Sequence, residues 1–205
     1  WPINSGHQYN RGSTVLIGSE VIDANNDIRH IVETPAYTTG DPDMGATQSP
    51  SGDFWTLLPL PGFASQDTNK IAMSKWRWSW PDDWPDKYDD VVDPGWPGSW
   101  NGYFGKDVYN ADEESYYVMD DYQNREFAFY PDSTDMERRG LGMRVTARGF
   151  QWSNALVEDG LFVLYDIKNI GTYDHNKVVF GYRLGNNVGE TTTQGGDGDD
   201  DFCQF

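Results

Sequence analysis

The chain has 205 residues, with 33 acidic against 15 basic side chains and a formal charge of −18. That charge repels a phosphate backbone and anionic lipid, which argues against nucleic acid as a partner, and no apolar run is long enough to span a bilayer. Hydrophobic residues make up only 37% of the sequence, but 9 Trp, 12 Tyr and 10 Phe supply enough burial area to exclude disorder throughout.

The first element in chain order is a hairpin from Ser13 to Glu33. Thr14 to Ile17 and Val21-Ile22 run into Ala24-Asn25-Asn26-Asp27, whose Asn and Asp residues suit a tight turn, and Ile28 to Val32 returns. Residues 34 to 53, rich in Thr, Gly, Pro, Asp and Ser, read as an irregular loop. Phe54 to Leu58 is expected to re-enter the core before Pro59 and Pro61 interrupt pairing.

Residues 74 to 105 carry Trp76, Trp78, Trp80, Trp84, Trp96 and Trp100 among Pro81, Pro85, Pro94 and Pro97. No long helix or central strand survives that proline density, so the stretch predicts a compact loop packed by its own indoles over one face of a sheet. Ala111 to Ser115 reads as at most one helical turn, Tyr116 to Met119 as a strand, and Glu126 to Tyr130 as its partner.

Leu141, Met143, Val145 and Ala147 alternate with Gly142, Arg144, Thr146 and Arg148, the period of a half-buried strand. Leu161 to Ile167 and Lys177 to Leu184 predict two more strands, joined by a polar turn at Asn169 to Asn176. Three strands with short links predict an antiparallel meander, and two such sheets face to face make an all-β antiparallel sandwich with long Trp/Pro-rich and acidic loops. Residues 1–205 read as a single β-rich domain or a segment of a larger protein, with a possible subdivision into 1–73 and 74–205. The opening at Trp1 and the acidic close at Asp200 to Phe205 are expected to be cut ends, and the lone Cys203 leaves no internal disulfide.

Several segments together resemble an uncharacterised family of large exported bacterial proteins, multidomain and β-rich, many of them ending in a C-terminal secretion and sorting domain. They are Trp84-Pro85-Asp86-Lys87, Trp100 to Gly105, Asn110 to Tyr116, Tyr130 to Ser133, Arg138 to Gly142, Gly149 to Asn154 and Tyr165 to Gly171. The resemblance implies export and residence outside the cell or at its surface. It brings no activity and no catalytic residues.

Three groups of residues are candidates for chemistry. Asp197, Asp199, Asp200 and Asp201 lie among flexible glycines, so several oxygens can converge on one hard cation, and Asn110, Asp112 and Glu114, with Glu113 alongside, make a second candidate. All-oxygen ligands in so acidic a chain favour Ca²⁺. A weaker group is Asp86, Asp89, Asp90 and Asp93. Trp76, Trp78, Trp80 and Trp84 offer indole faces for sugar rings, with core packing as the alternative. Glu113 or Glu114 opposite Asp120 or Asp121 would serve a glycosidase if the pairs stood roughly 5 to 9.5 Å apart. Arg138, Arg139, Arg144 and Arg148 read as ion-pair partners of nearby acids rather than as an anion site.

The sequence therefore predicts an extracellular structural or binding module, calcium-stabilised and able to pair with copies of itself or with neighbouring domains in a surface layer or filament. The alternative is a carbohydrate-binding module or the accessory part of a polysaccharide-degrading enzyme. No hydrolase elbow or zinc motif accompanies His7, His30 or His175, so catalysis has no footing in the motifs.

Overall fold

The computed structural model describes residues 10–35, 47–48, 54–66 and 71–186. It is all-β and antiparallel: two sheets face each other, and the Trp/Pro-rich stretch forms a third layer on the back of the larger one. Among the described residues helix is confined to two short 3₁₀ turns, at Arg77–Ser79 and Pro85–Lys87, and no helix is long and apolar enough to cross a membrane.

The smaller sheet contains β1 (Asn10–Ile22), β2 (Ile28–Glu33) and β12 (Val178–Asn186), ordered β12-β1-β2. The β1–β2 hairpin closes as the sequence predicts. Asp23 accepts hydrogen bonds from the backbone N–H of Asn25 (2.9 Å) and Asp27 (3.0 Å), and Asn26 takes the left-handed conformation the turn requires, with φ of 66°.

The larger sheet runs β11-β10-β9-β5, with β6 also on β9. Its strands are β5 (Leu58–Pro59), β6 (Ala72–Met73), β9 (Glu113–Asp120), β10 (Met143–Gln151) and β11 (Phe162–Asn169). Two short ladders join β3 (Thr47–Gln48) to β4 (Phe54–Trp55) and β7 (Asn101–Gly102) to β8 (Gly105–Lys106). Strands from 1–73 and from 74–205 share both main sheets, since β1 pairs with β12 and β5 with β9.

Three expectations change. Glu126–Tyr130 does not pair with the Tyr116–Met119 strand, because β10 occupies one edge of β9 while β5 and β6 occupy the other. The segment instead threads between loops, with the Ala128 carbonyl accepting from Ala24 N–H at 2.7 Å. The three C-terminal strands are not one meander either. Residues 170–177 carry the chain to the opposite sheet, anchored where the Pro131 carbonyl accepts from Thr172 (2.9 Å) and Tyr173 (3.0 Å), so β12 joins β1. Residues 113–115, within the expected helical turn, already belong to β9.

The period-two pattern explains why the central sheet has two buried faces. One face, with Tyr117, Met119, Val145 and Ile167, packs against Val15, Ile17, Val21 and Ile31 of the smaller sheet. The other, with Tyr116 and Val118, packs under Phe63, Trp84 and Trp100 of the third layer. Trp84 and Trp100 are fully buried and meet edge to face at 5.7 Å. Each such indole removes on the order of 200 Å² from water, worth about 5 kcal/mol of transfer free energy before conformational entropy is subtracted. The β7–β8 loop is tight: a Cβ on Gly102 would stand 2.0 Å from the Val108 carbonyl oxygen, so only glycine fits there.

Candidate functional site

A groove of about 350 Å³ opens where the third layer meets the outer face of the central sheet. Strand β10 contributes Arg144 and Arg148, two positions in phase on one face, and β11 contributes Asp166, opposite Thr146. From the third layer come Asp86 and Lys87, at the second 3₁₀ turn, and Tyr103 at the tip of the β7–β8 hairpin.

The floor of the groove is a satisfied polar network. Asp86 accepts from Asn101 Nδ2 at 3.0 and 3.1 Å and from the Tyr116 hydroxyl at 3.1 Å, and Lys87 pairs with it at 3.2 Å. Arg148 is buried against the Tyr116 ring, its guanidinium carbon 4.1 Å from the centroid, and donates to the Asn101 carbonyl oxygen (2.6 Å) and Oδ1 (3.2 Å). It makes no ion pair among the described residues. Burial first, and the Asp86 charge second, hold the Tyr116 phenol far above its ordinary range. Burial lowers the Arg148 pKa, but the guanidinium remains a cation.

At the far end of β9 lies a second cluster of charged groups, sealed from water. Asp121 is completely buried and accepts from the backbone N–H of Leu141 (2.8 Å) and Met143 (3.0 and 3.1 Å), with Arg138 at 3.6 Å. Glu33, at the end of β2, is equally buried; its Oε1 accepts from Asn124 Nδ2 at 2.8 Å, and its Oε2 has no partner among the described residues. Desolvation, reinforced by the charge of Asp121, raises Glu33 well above the usual carboxylate range. Desolvation also pushes Asp121 up to about 7. Asp121 has several donors and a nearby guanidinium, so Glu33 is the member of the pair that keeps a proton.

The residues singled out in the sequence separate into distinct groups. Trp76 and Trp78 are solvent-exposed and stack on each other, centroids 5.7 Å apart and planes 12° from parallel. Trp80 is half-buried with its Nε1 donating to the Met73 carbonyl, and Trp84 belongs to the core with its Nε1 donating to the Ser99 carbonyl, both at 2.8 Å. Only the first pair presents faces to a ligand.

Glu114 is buried. Its Oε2 accepts from Trp100 Nε1 at 2.8 Å, and its Oε1 accepts from Ala111 N–H at 3.0 Å and from Asn110 N–H. Asp112 accepts from Ser153 N–H (2.7 Å) and Oγ (2.6 Å). These carboxylates therefore fasten loops, and among the described residues no three acidic, His or Cys side chains converge as a metal site. Asp197, Asp199, Asp200 and Asp201 lie outside the described residues.

The glycosidase pairing is not assembled. Glu114 and Asp120 sit six positions apart on one strand, about 20 Å at the usual rise per residue, well beyond the separation either mechanism needs. Asp120 is instead held by Arg138 (3.4 Å) and Arg144 (3.7 Å), and Glu113 by Lys75 (3.5 Å). The ion-pair reading holds for Arg138 and Arg144, whereas Arg148 has no ion pair among the described residues; Arg139 lies over Tyr130, its guanidinium carbon 4.1 Å from the ring centroid. The groove itself escaped sequence reasoning, although the in-phase spacing of Arg144 and Arg148 marks one of its walls.

Comparison with family models, with curated proteins and with solved structures finds no match for this chain.

Proposed function

We propose that this chain is a saccharide-binding β-sandwich module of an exported protein. The observation that carries the reading is the groove between the central sheet and the third layer, where Asp166, Lys87 and Arg144 offer donors and acceptors beside the exposed ring of Tyr103. Sugars are bound by that combination: hydroxyls exchange hydrogen bonds with charged side chains while a pyranose face lies on an aromatic ring. The stacked Trp76–Trp78 pair adds a second aromatic surface on the same layer. Catalysis is the weaker reading because the candidate carboxylates stand apart.

The resemblance to exported bacterial proteins supports residence outside the cell, and Ca²⁺ bound among Asp197, Asp199, Asp200 and Asp201 would neutralise part of the charge of −18. Affinity electrophoresis against neutral and substituted polysaccharides tests the binding reading. Retardation that disappears in both Tyr103→Ala and Asp166→Asn is the expected result, and unchanged mobility on every polysaccharide refutes it.

A second reading, contact with a neighbouring domain or another copy, is favoured by the outer face of the smaller sheet. Ile22 and Ile28 pair directly across β1 and β2, and both are exposed, as are Val32 and Val179. Exposed apolar side chains grouped in this way mark contact surfaces. Sedimentation at increasing concentration is expected to show self-association that Val32→Lys abolishes; a monomer at every concentration would leave only a neighbouring domain for that face.

A further inference from the structure

The groove is not neutral at its β10–β11 end, and this determines what kind of sugar it suits. Arg144 reaches Asp120 at 3.7 Å, and its Nε is buried with no acceptor among the described residues. Directly across the ladder stands Lys168, exposed on the same face though not itself lining the groove, which makes no hydrogen bond or ion pair among the described residues. Like charges placed opposite each other on a sheet repel. Asp120, shared with Arg138, is the carboxylate that meets Arg144, and among the described residues none meets Lys168, so this end of the groove carries more cationic charge than the protein itself pairs. Arg148, which has no ion pair among the described residues, extends the positive character along the groove, while Lys87 is paired with Asp86 and Asp166 remains as an acceptor for hydroxyl groups.

Resting on the saccharide reading above, we infer that the groove takes a sugar ring bearing a single carboxylate, a uronate, with that carboxylate at Arg144 and Lys168. A planar carboxylate matches the fork of a guanidinium, here through the accessible terminal nitrogens because Nε is closed to solvent, and pairs with the Lys168 ammonium as well. The charge of −18 sets the limit on the other side. A densely charged polyuronate is repelled by the protein as a whole, whereas an isolated acidic residue on a largely neutral glycan meets only the local field, because distant charges are screened beyond about 8 Å at physiological salt. The groove, about 350 Å³, lies at the small end of ligand sites and suits one or two rings.

The test uses matched monosaccharides, which avoids any dependence on linkage. Backbone amide shifts are followed by NMR while the protein is titrated with glucuronate against glucose, and galacturonate against galactose, with acetate as the anion without a ring. At least one uronate is expected to bind 10-fold or more tightly than its neutral partner and than acetate, shifting residues of β10 and β11. That preference is expected to fall to near unity in Lys168→Gln, a change that removes no contact of the fold, and in Arg144→Gln. Neutral sugars binding as well as uronates, or a preference that survives in both variants, overturns the inference and leaves the saccharide reading intact. Acetate binding as tightly as a uronate reduces the site to a simple anion site and overturns both, as does the absence of shifts with every sugar.

Discussion

Glu33→Gln is the substitution that most directly tests how the buried carboxyls behave. Glu33 is completely buried, bonded through one oxygen to Asn124 and unpartnered at the other, with the Asp121 carboxylate as an electrostatic neighbour. Its folded-state pKa is raised above the unfolded value, so the sign is fixed: the native state holds a proton that the unfolded chain releases. Stability is full below the ordinary carboxylate range and is lost as pH rises toward the raised folded value. Over that interval the loss is at most about 1.4 kcal/mol per pH unit for one proton.

Glutamine keeps the acceptor for Asn124 and replaces the orphan oxygen with an amide donor, while having nothing to titrate. Urea unfolding at pH 5, 6, 7 and 8 is expected to show wild-type stability falling with pH, and the variant flatter and more stable than wild type at pH 7. Part of the slope persists in the variant because burial raises Asp121 as well. Parallel curves for the two proteins would refute the assignment of the proton to Glu33.

Trp84→Ala is expected to cost about 3–5 kcal/mol in urea unfolding, as for other large buried aromatics, while Trp76→Ala costs under about 1 kcal/mol because that ring is 46% exposed. Removal of Ca²⁺ by a chelator is expected to lower Tm by several degrees, as loss of a saturating native-state ligand does, and Asp197→Asn with Asp199→Asn is expected to abolish the difference. Scanning calorimetry reads both proteins with and without chelator.

The strands that alternate cleanly were legible because local pattern alone decides them. Met143, Val145 and Ala147 are buried in β10 as their spacing predicts, and the turn at Asn25-Asn26 announces the first hairpin. Pairing was less legible, since it depends on which strand edges are already occupied. Nothing within Glu126–Tyr130 shows that β9 has no free edge, and nothing within Val178–Asn186 shows that the strand crosses to β1. The same limit hid most of the site. Arg144 and Arg148 share a face visibly, but the register that sets Lys168 beside Arg144 exists only in the assembled sheet. Glu33 was within reach, because it falls in phase with the buried Ile31 along β2; an acidic residue in an inward phase is the signal that was missed.

The groove owes one wall to the sandwich and the other to the Trp-rich layer, joined through Arg148, Asn101 and Tyr116. A ligand held in the groove would therefore depend on both of these bodies staying folded. Warming is predicted to abolish ligand affinity at the temperature where the tryptophan layer peels away, and strand content measured at that moment would still look native. Should that layer detach before the sheets unfold, a melting curve that follows strands alone would overstate the temperature to which the groove survives.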